Sequence, residues 1–155
     1  MKNVLFASLA AAVLLAAQPA LAVDTESTPV INAENNDFVA GKKAVEKEDW
    51  NEAIARFRKV VAKEPKNADA YTMLGYSLRW AGRMDEAFAA YGEALRIDPN
   101  HRGANQYLGI AYMKAGQRDK AEQQLLKLEL IGGKNSDEYK KLAKAINEGK
   151  VAKGW

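Results

Sequence analysis

No cysteine occurs anywhere in the 155-residue chain. That excludes a disulfide framework, a thiol nucleophile and a thiol-anchored lipid, so packing alone must hold the fold. Histidine is nearly absent too. His101 is the single one, and a lone imidazole without cysteine partners cannot anchor a typical zinc site; at a junction between helical segments it reads as a surface loop residue. No G-x-S-x-G elbow occurs, and Ser77 falls inside a predicted helix, so a hydrolase nucleophile cannot be paired with a base. Gly132-Gly133-Lys134-Asn135 is similar to a phosphate loop only in its Gly-Lys step. It lacks the upstream glycine and the following Ser or Thr, and reads as a helix C-cap and turn. The acidic clusters Asp85-Glu86 and Glu46-Lys47-Glu48-Asp49 stand where predicted helices begin, the position the helix dipole favours for carboxylates. No catalytic residue, metal ligand or cofactor is assigned, and the chain is not expected to be an enzyme.

Long apolar runs are scarce as well. The one that exists covers residues 4–17, follows Lys2, and ends at Pro19 before Ala20-Leu21-Ala22. A basic start, a short apolar stretch and an A-x-A site describe a secretory signal peptide over residues 1–22. The run falls short of the roughly 20 residues that cross a bilayer. Cleavage after Ala22 leaves no stable membrane insertion and predicts a periplasmic protein, with simple secretion as the alternative. Removing Lys2 from 23 basic residues leaves a near balance against 20 acidic ones, which gives no support for nucleic-acid binding. Residues 23–36 are polar, contain Pro29 and show no sustained period, so they read as a flexible lead-in.

Beyond them the chain repeats itself every 34 residues. Gly41, Gly75 and Gly109 recur at that interval, as do Ala53, Ala87 and Ala121; Phe57, Tyr91 and Leu125; and Pro65 and Pro99. The small residues let two antiparallel helices approach, while the larger ones fill the space around them. Gly82 and Gly116 suit the turn inside each hairpin. In the first copy Glu48-Asp49 replaces that turn, with Asp49 as N-cap. Pro65 and Pro99 stop the second helices. The third copy has Gly133 where a proline would stand, and the first has Asp37, Ala40 and Ala44 where large apolar residues are usual, which makes its first helix the least firmly packed.

These residues resemble the tetratricopeptide-repeat (TPR) family, most fully in the middle copy through Tyr71, Leu74, Gly75, Leu78, Ala87, Tyr91 and Pro99. The resemblance implies an all-α, right-handed α-solenoid of three helical hairpins, over residues 34–67, 68–101 and 102–135. Residues 136–155 form a capping helix and tail, with Asn135 or Ser136 as its N-cap and Tyr139, Leu142, Ala145 and Ile146 on one face. Lys140, Lys141 and Lys144 lie off that stripe as a solvated face; a basic patch for an acidic partner is the alternative.

Family likeness also implies that the first helices line a concave groove. Helical spacing from Leu74, Gly75 and Leu78 puts Thr72, Tyr76 and Arg79 on the groove stripe, with Trp80 at its edge. One repeat on, the stripe is Gln106, Ile110 and Met113; one repeat back it is Phe38, Lys42 and Val45. Arg79 and Lys42 are expected as exposed contacts, whereas packing between neighbouring first helices is the alternative for Tyr76, Ile110 and Met113, and weighs equally for the aliphatic pair. Some TPR co-chaperones hold a ligand's C-terminal carboxylate with lysine and asparagine on these helices. Here Phe38, Lys42, Met73, Gln106 and Ile110 stand there, so that ligand class is not expected. The reading is a module that binds a partner protein or peptide, or a self-associating building block.

Overall fold

The computed structural model describes residues 33–149. The signal-peptide segment and most of the lead-in lie outside the described residues. Seven helices follow one another among the described residues: α1 (Ala33–Glu46), α2 (Trp50–Lys63), α3 (Ala68–Trp80), α4 (Met84–Ile97), α5 (Arg102–Lys114), α6 (Arg118–Gly132) and α7 (Asp137–Asn147). None is long and apolar enough to cross a membrane. Helix α1 starts inside the stretch read as lead-in. Ala33 and Glu34 are good helix formers, and no proline or glycine interrupts residues 30–40; polar composition concealed this.

Helix starts recur with the sequence period, since Trp50, Met84 and Arg118 open α2, α4 and α6 at intervals of 34 residues. The hairpin turns explain the register. Gly82 and Gly116 take φ of 77° and 72°, and Glu48 takes 56° at the equivalent place, so a glutamate adopts there the left-handed conformation that glycine reaches without strain. Asp49 then caps α2 by accepting from the Glu52 amide at 3.1 Å. After α6 the chain leaves through Gly133 at φ 72°, and Ser136 caps α7 by accepting from the Tyr139 amide.

Helices α1, α3, α5 and α7 stand in one row, each in backbone proximity to the next, whereas α2, α4 and α6 pack mainly on that row, with the exposed Arg58–Glu86 ion pair at 2.8 Å linking α2 to α4. The closer spacing puts the first row on the concave side. Packing within each hairpin follows from the small residues. A Cβ added to Gly41 would lie 2.8 Å from the Phe57 ring, and one added to Gly75 would lie 2.7 Å from the Tyr91 ring. In the third copy the partner is not Leu125. Leu142 of α7 fills the space over Gly109, 2.5 Å from such a Cβ, and is completely buried, while Leu125 is only partly covered. With Leu142, Ala145 and Ile146 buried, α7 closes the flank that α5 and α6 leave open. The fold is an all-α helical solenoid.

Candidate functional site

The last turn of α3 carries Tyr76, Arg79 and Trp80, and aromatic residues from neighbouring helices gather there. Trp50, the first residue of α2, stacks on Trp80 with ring centroids 5.4 Å apart and planes 10° from parallel. Tyr76 meets Trp50 at 6.2 Å, Trp80 at 6.2 Å, and Tyr107 of α5 at 5.0 Å. The result is an aromatic wall spanning three helices. Beside it lies a pocket of about 190 Å³ lined by Tyr76, Arg79, Trp80, Gln106, Tyr107, Ile110 and Lys141. Lys114 adds a cation 6.0 Å from the Trp80 ring centroid.

Arg79 departs from expectation. Rather than an exposed contact it is 2% exposed, because the Tyr76 and Trp80 rings cover it, their centroids 5.3 and 5.0 Å from its guanidinium carbon. Its Nε and Nη1 make no well-formed hydrogen bond, and the oxygen beside the guanidinium, the equally unpaired Tyr91 hydroxyl, carries no charge. Burial pushes the Tyr91 phenol above its usual pKa and the Arg79 charge works against that rise. Tyr107 is pushed up by burial and by neighbouring Tyr76.

The other groove-stripe residues divide by burial. Thr72 is buried, its hydroxyl donating to the Ala68 carbonyl at 2.8 Å. Gln106 and Ile110 are buried as well, and Met113 packs against the second core cluster. Phe38 is turned inward, edge-on to Phe57 at 5.6 Å. Lys42 alone of the stripe is exposed. The structure therefore brings Tyr76, Arg79, Trp80, Gln106 and Ile110 together at one pocket and leaves Phe38, Lys42, Thr72 and Met113 outside it.

Trp50, Tyr107 and Lys141 were not read from the sequence as groove residues. Trp50 opens a second helix, and Lys141 sits on the capping helix. Only the contact of different repeats brings them to one place, which helical spacing within a single helix does not reveal.

A larger pocket of about 530 Å³ is lined by residues including Asp69, His101, Arg102 and Glu138. Its polar groups satisfy one another. His101 is the N-cap of α5 rather than a loop residue: Nδ1 accepts from the Ala104 amide at 3.1 Å and Nε2 lies 3.0 Å from the Asp69 carboxylate. Arg102 pairs with Glu138 at 3.8 Å. The contrast favours the smaller pocket, where a buried cation is left without a counter-charge.

Two family models described as tetratricopeptide repeat match residues 38–102 and 78–146, jointly covering nearly all the described helices. The TPR repeat-containing thioredoxin TTL4 of Arabidopsis thaliana is 29% identical over 86 residues, 56% of this chain and 13% of that protein. The chain thus spans a small part of such relatives. The TPR2B domain of yeast Sti1, solved as a pHsp70 complex, superimposes with a TM-score of 0.63 at 21% identity, over 72% of this chain and 96% of that one. For the Arabidopsis OM64 TPR domain the TM-score is 0.68 at 17% identity, over 76% and 97%. The first TPR of Spaghetti (RPAP3), bound to the HSP90 peptide SRMEEVD, gives 0.67 at 16% identity, over 74% and 90%.

Proposed function

Because the chain belongs to the tetratricopeptide-repeat family, we propose that it is a non-enzymatic periplasmic interaction module that takes a partner protein or peptide into the groove of its inner helix row. Two similar structures, the pHsp70 complex and the HSP90 peptide complex, hold such ligands, and they support a general protein-interaction role. The observation that carries the groove assignment is the aromatic wall of Trp50, Tyr76, Trp80 and Tyr107 beside a pocket with a buried cation. Aromatic residues and arginine are the types enriched where binding energy concentrates. The exported setting rests on the leader-like residues 1–22.

Affinity capture from periplasmic extract tests this reading with charge reversals that leave the core alone. Lys114→Glu with Lys141→Glu, both exposed at the groove, is expected to reduce partner capture at least tenfold. Removing the Glu93–Arg96 pair on outer helix α4 is expected to change it little, since exposed ion pairs contribute little. The reverse pattern would move the binding surface to the outer row. Self-association is a second reading because Leu126 and Leu130, one turn apart on α6, are 62% and 87% exposed. Light scattering of the chain lacking residues 1–22 decides it: a monomeric mass excludes the second reading.

A further inference from the structure

We infer that the pocket at the end of α3 is a receptor for the side-chain carboxylate of an acidic peptide, with the Arg79 guanidinium as its anchor. The inference rests on the groove reading above and adds the chemistry of what the groove takes. Arg79 is 2% exposed, yet Nε and Nη1 make no well-formed hydrogen bond, and no ion pair reaches it among the described residues. A buried charge without a partner opposes folding, and buried polar groups are normally satisfied. Here the fold supplies two aromatic faces and the neutral Tyr91 hydroxyl beside the guanidinium, which attract a cation but bring no counter-charge to it.

The surroundings exclude a cation as occupant. No acidic side chain lines the pocket, while Lys141 does, and Lys114 stands at the Trp80 face. Glu138 of α7, whose charge is felt at Tyr107, lies 3.8 Å from Arg102. Lys114 and Lys141 thus give the pocket mouth an excess of positive charge. A carboxylate matches the planar fork of arginine through two parallel N–H bonds. Arg79 is reached only past Tyr76 and Trp80, so the anion must stand on a stem. A side-chain carboxylate extends from its backbone in that way and leaves the main chain outside the pocket. The main chain carrying it would lie along the aromatic wall, where adjacent apolar side chains can be buried.

The direct test follows the Arg79 Nε–H signal of the ¹⁵N-labelled chain lacking residues 1–22 during titration. The probe is the blocked peptide acetyl-Ala-Leu-Glu-Leu-Ala-amide, compared with its Gln counterpart. A saturable shift with the Glu peptide, at least tenfold tighter than with the Gln peptide, is the expected result. Equal responses, or none to either peptide, overturn the carboxylate assignment, while groove-dependent capture of the partner would still leave the broader reading standing. Tighter binding of the Gln peptide bearing a free C-terminus than of the blocked Glu peptide overturns the side-chain source. Arg79→Gln is expected to erase the preference for Glu, and retention of the preference in that variant overturns the role of Arg79. Arg79→Met separates anchoring from packing, with a thermal midpoint expected no lower than that of the parent. A clear fall in the midpoint would assign Arg79 to internal packing and overturn the proposal.

Discussion

His101 occupies the helix-start position that Asn67 occupies one repeat earlier. Asn67 accepts from the Ala70 amide at 2.9 Å, and His101 accepts from the Ala104 amide through Nδ1 at 3.1 Å. With Nδ1 accepting, the proton of the neutral ring sits on Nε2, which donates to Asp69. Replacing a capping side chain by alanine costs about 1 kcal/mol. His101→Ala is therefore expected to lower the unfolding free energy by about that amount in urea denaturation, and His101→Asn by much less. An equal loss in both variants would show that the ring stabilises the junction by packing instead. A single histidine at a repeat junction reads as a loop residue because histidine is not among the usual capping types; its register with Asn67 was the available signal. Arg79 lines the pocket at the end of α3. Its burial was not legible, because Tyr91 of α4 and the pocket residues of α5 and α7 reach it from outside its own helix.

Each hairpin works as an element because a glycine in its first helix admits a large side chain from another. Gly41 with Phe57 and Gly75 with Tyr91 obey the period, and that much could be read from the sequence. The third glycine is served from outside its hairpin. Leu142 reaches Gly109 from α7 and is completely buried, while Leu125, in the position of Phe57 and Tyr91, stays partly exposed. A period within the chain shows which positions correspond, and it cannot show that a helix outside the repeat has taken over one of their contacts. Truncation tests this. Leu142→Ala is expected to cost about 2–5 kcal/mol, the range for emptying a packed leucine site, against roughly 1 kcal/mol for Leu125→Ala, whose side chain is already partly in water. Denaturant unfolding of the two variants measures the difference, and a larger loss at Leu125 would restore the regular hairpin as the unit that packs Gly109.

At the scale of the whole molecule, helices pack only against near neighbours in the array, so stability falls where a neighbour is missing. The C-terminal side is covered by α7. Helix α1 has a partner on one side only among the described residues, and its buried positions are few: Gly41 and Ala44, with Phe38 partly covered. Its attachment to α2 leans on charge. Asp37 accepts from Arg56 Nη1 at 2.9 Å and lies 3.6 Å from Lys63 Nζ. The Arg56 hydrogen bond, aided by the nearby lysines, holds the Asp37 carboxyl below its ordinary pKa. The folded state therefore binds this proton less readily than the unfolded one. Its contribution to stability is present above the ordinary aspartate range, around pH 4, and is lost as pH falls through the lower folded value. Between about pH 6 and pH 3, amides of α1 are expected to lose hydrogen-exchange protection before those of α3 to α5, each corrected for its intrinsic rate. Asp37→Asn should show the loosened α1 already at the upper pH and little further change on acidification. If α1 and α3 instead lost protection together in both proteins, the array would be opening as one unit, and the Asp37 carboxylate would not be what fastens its first helix.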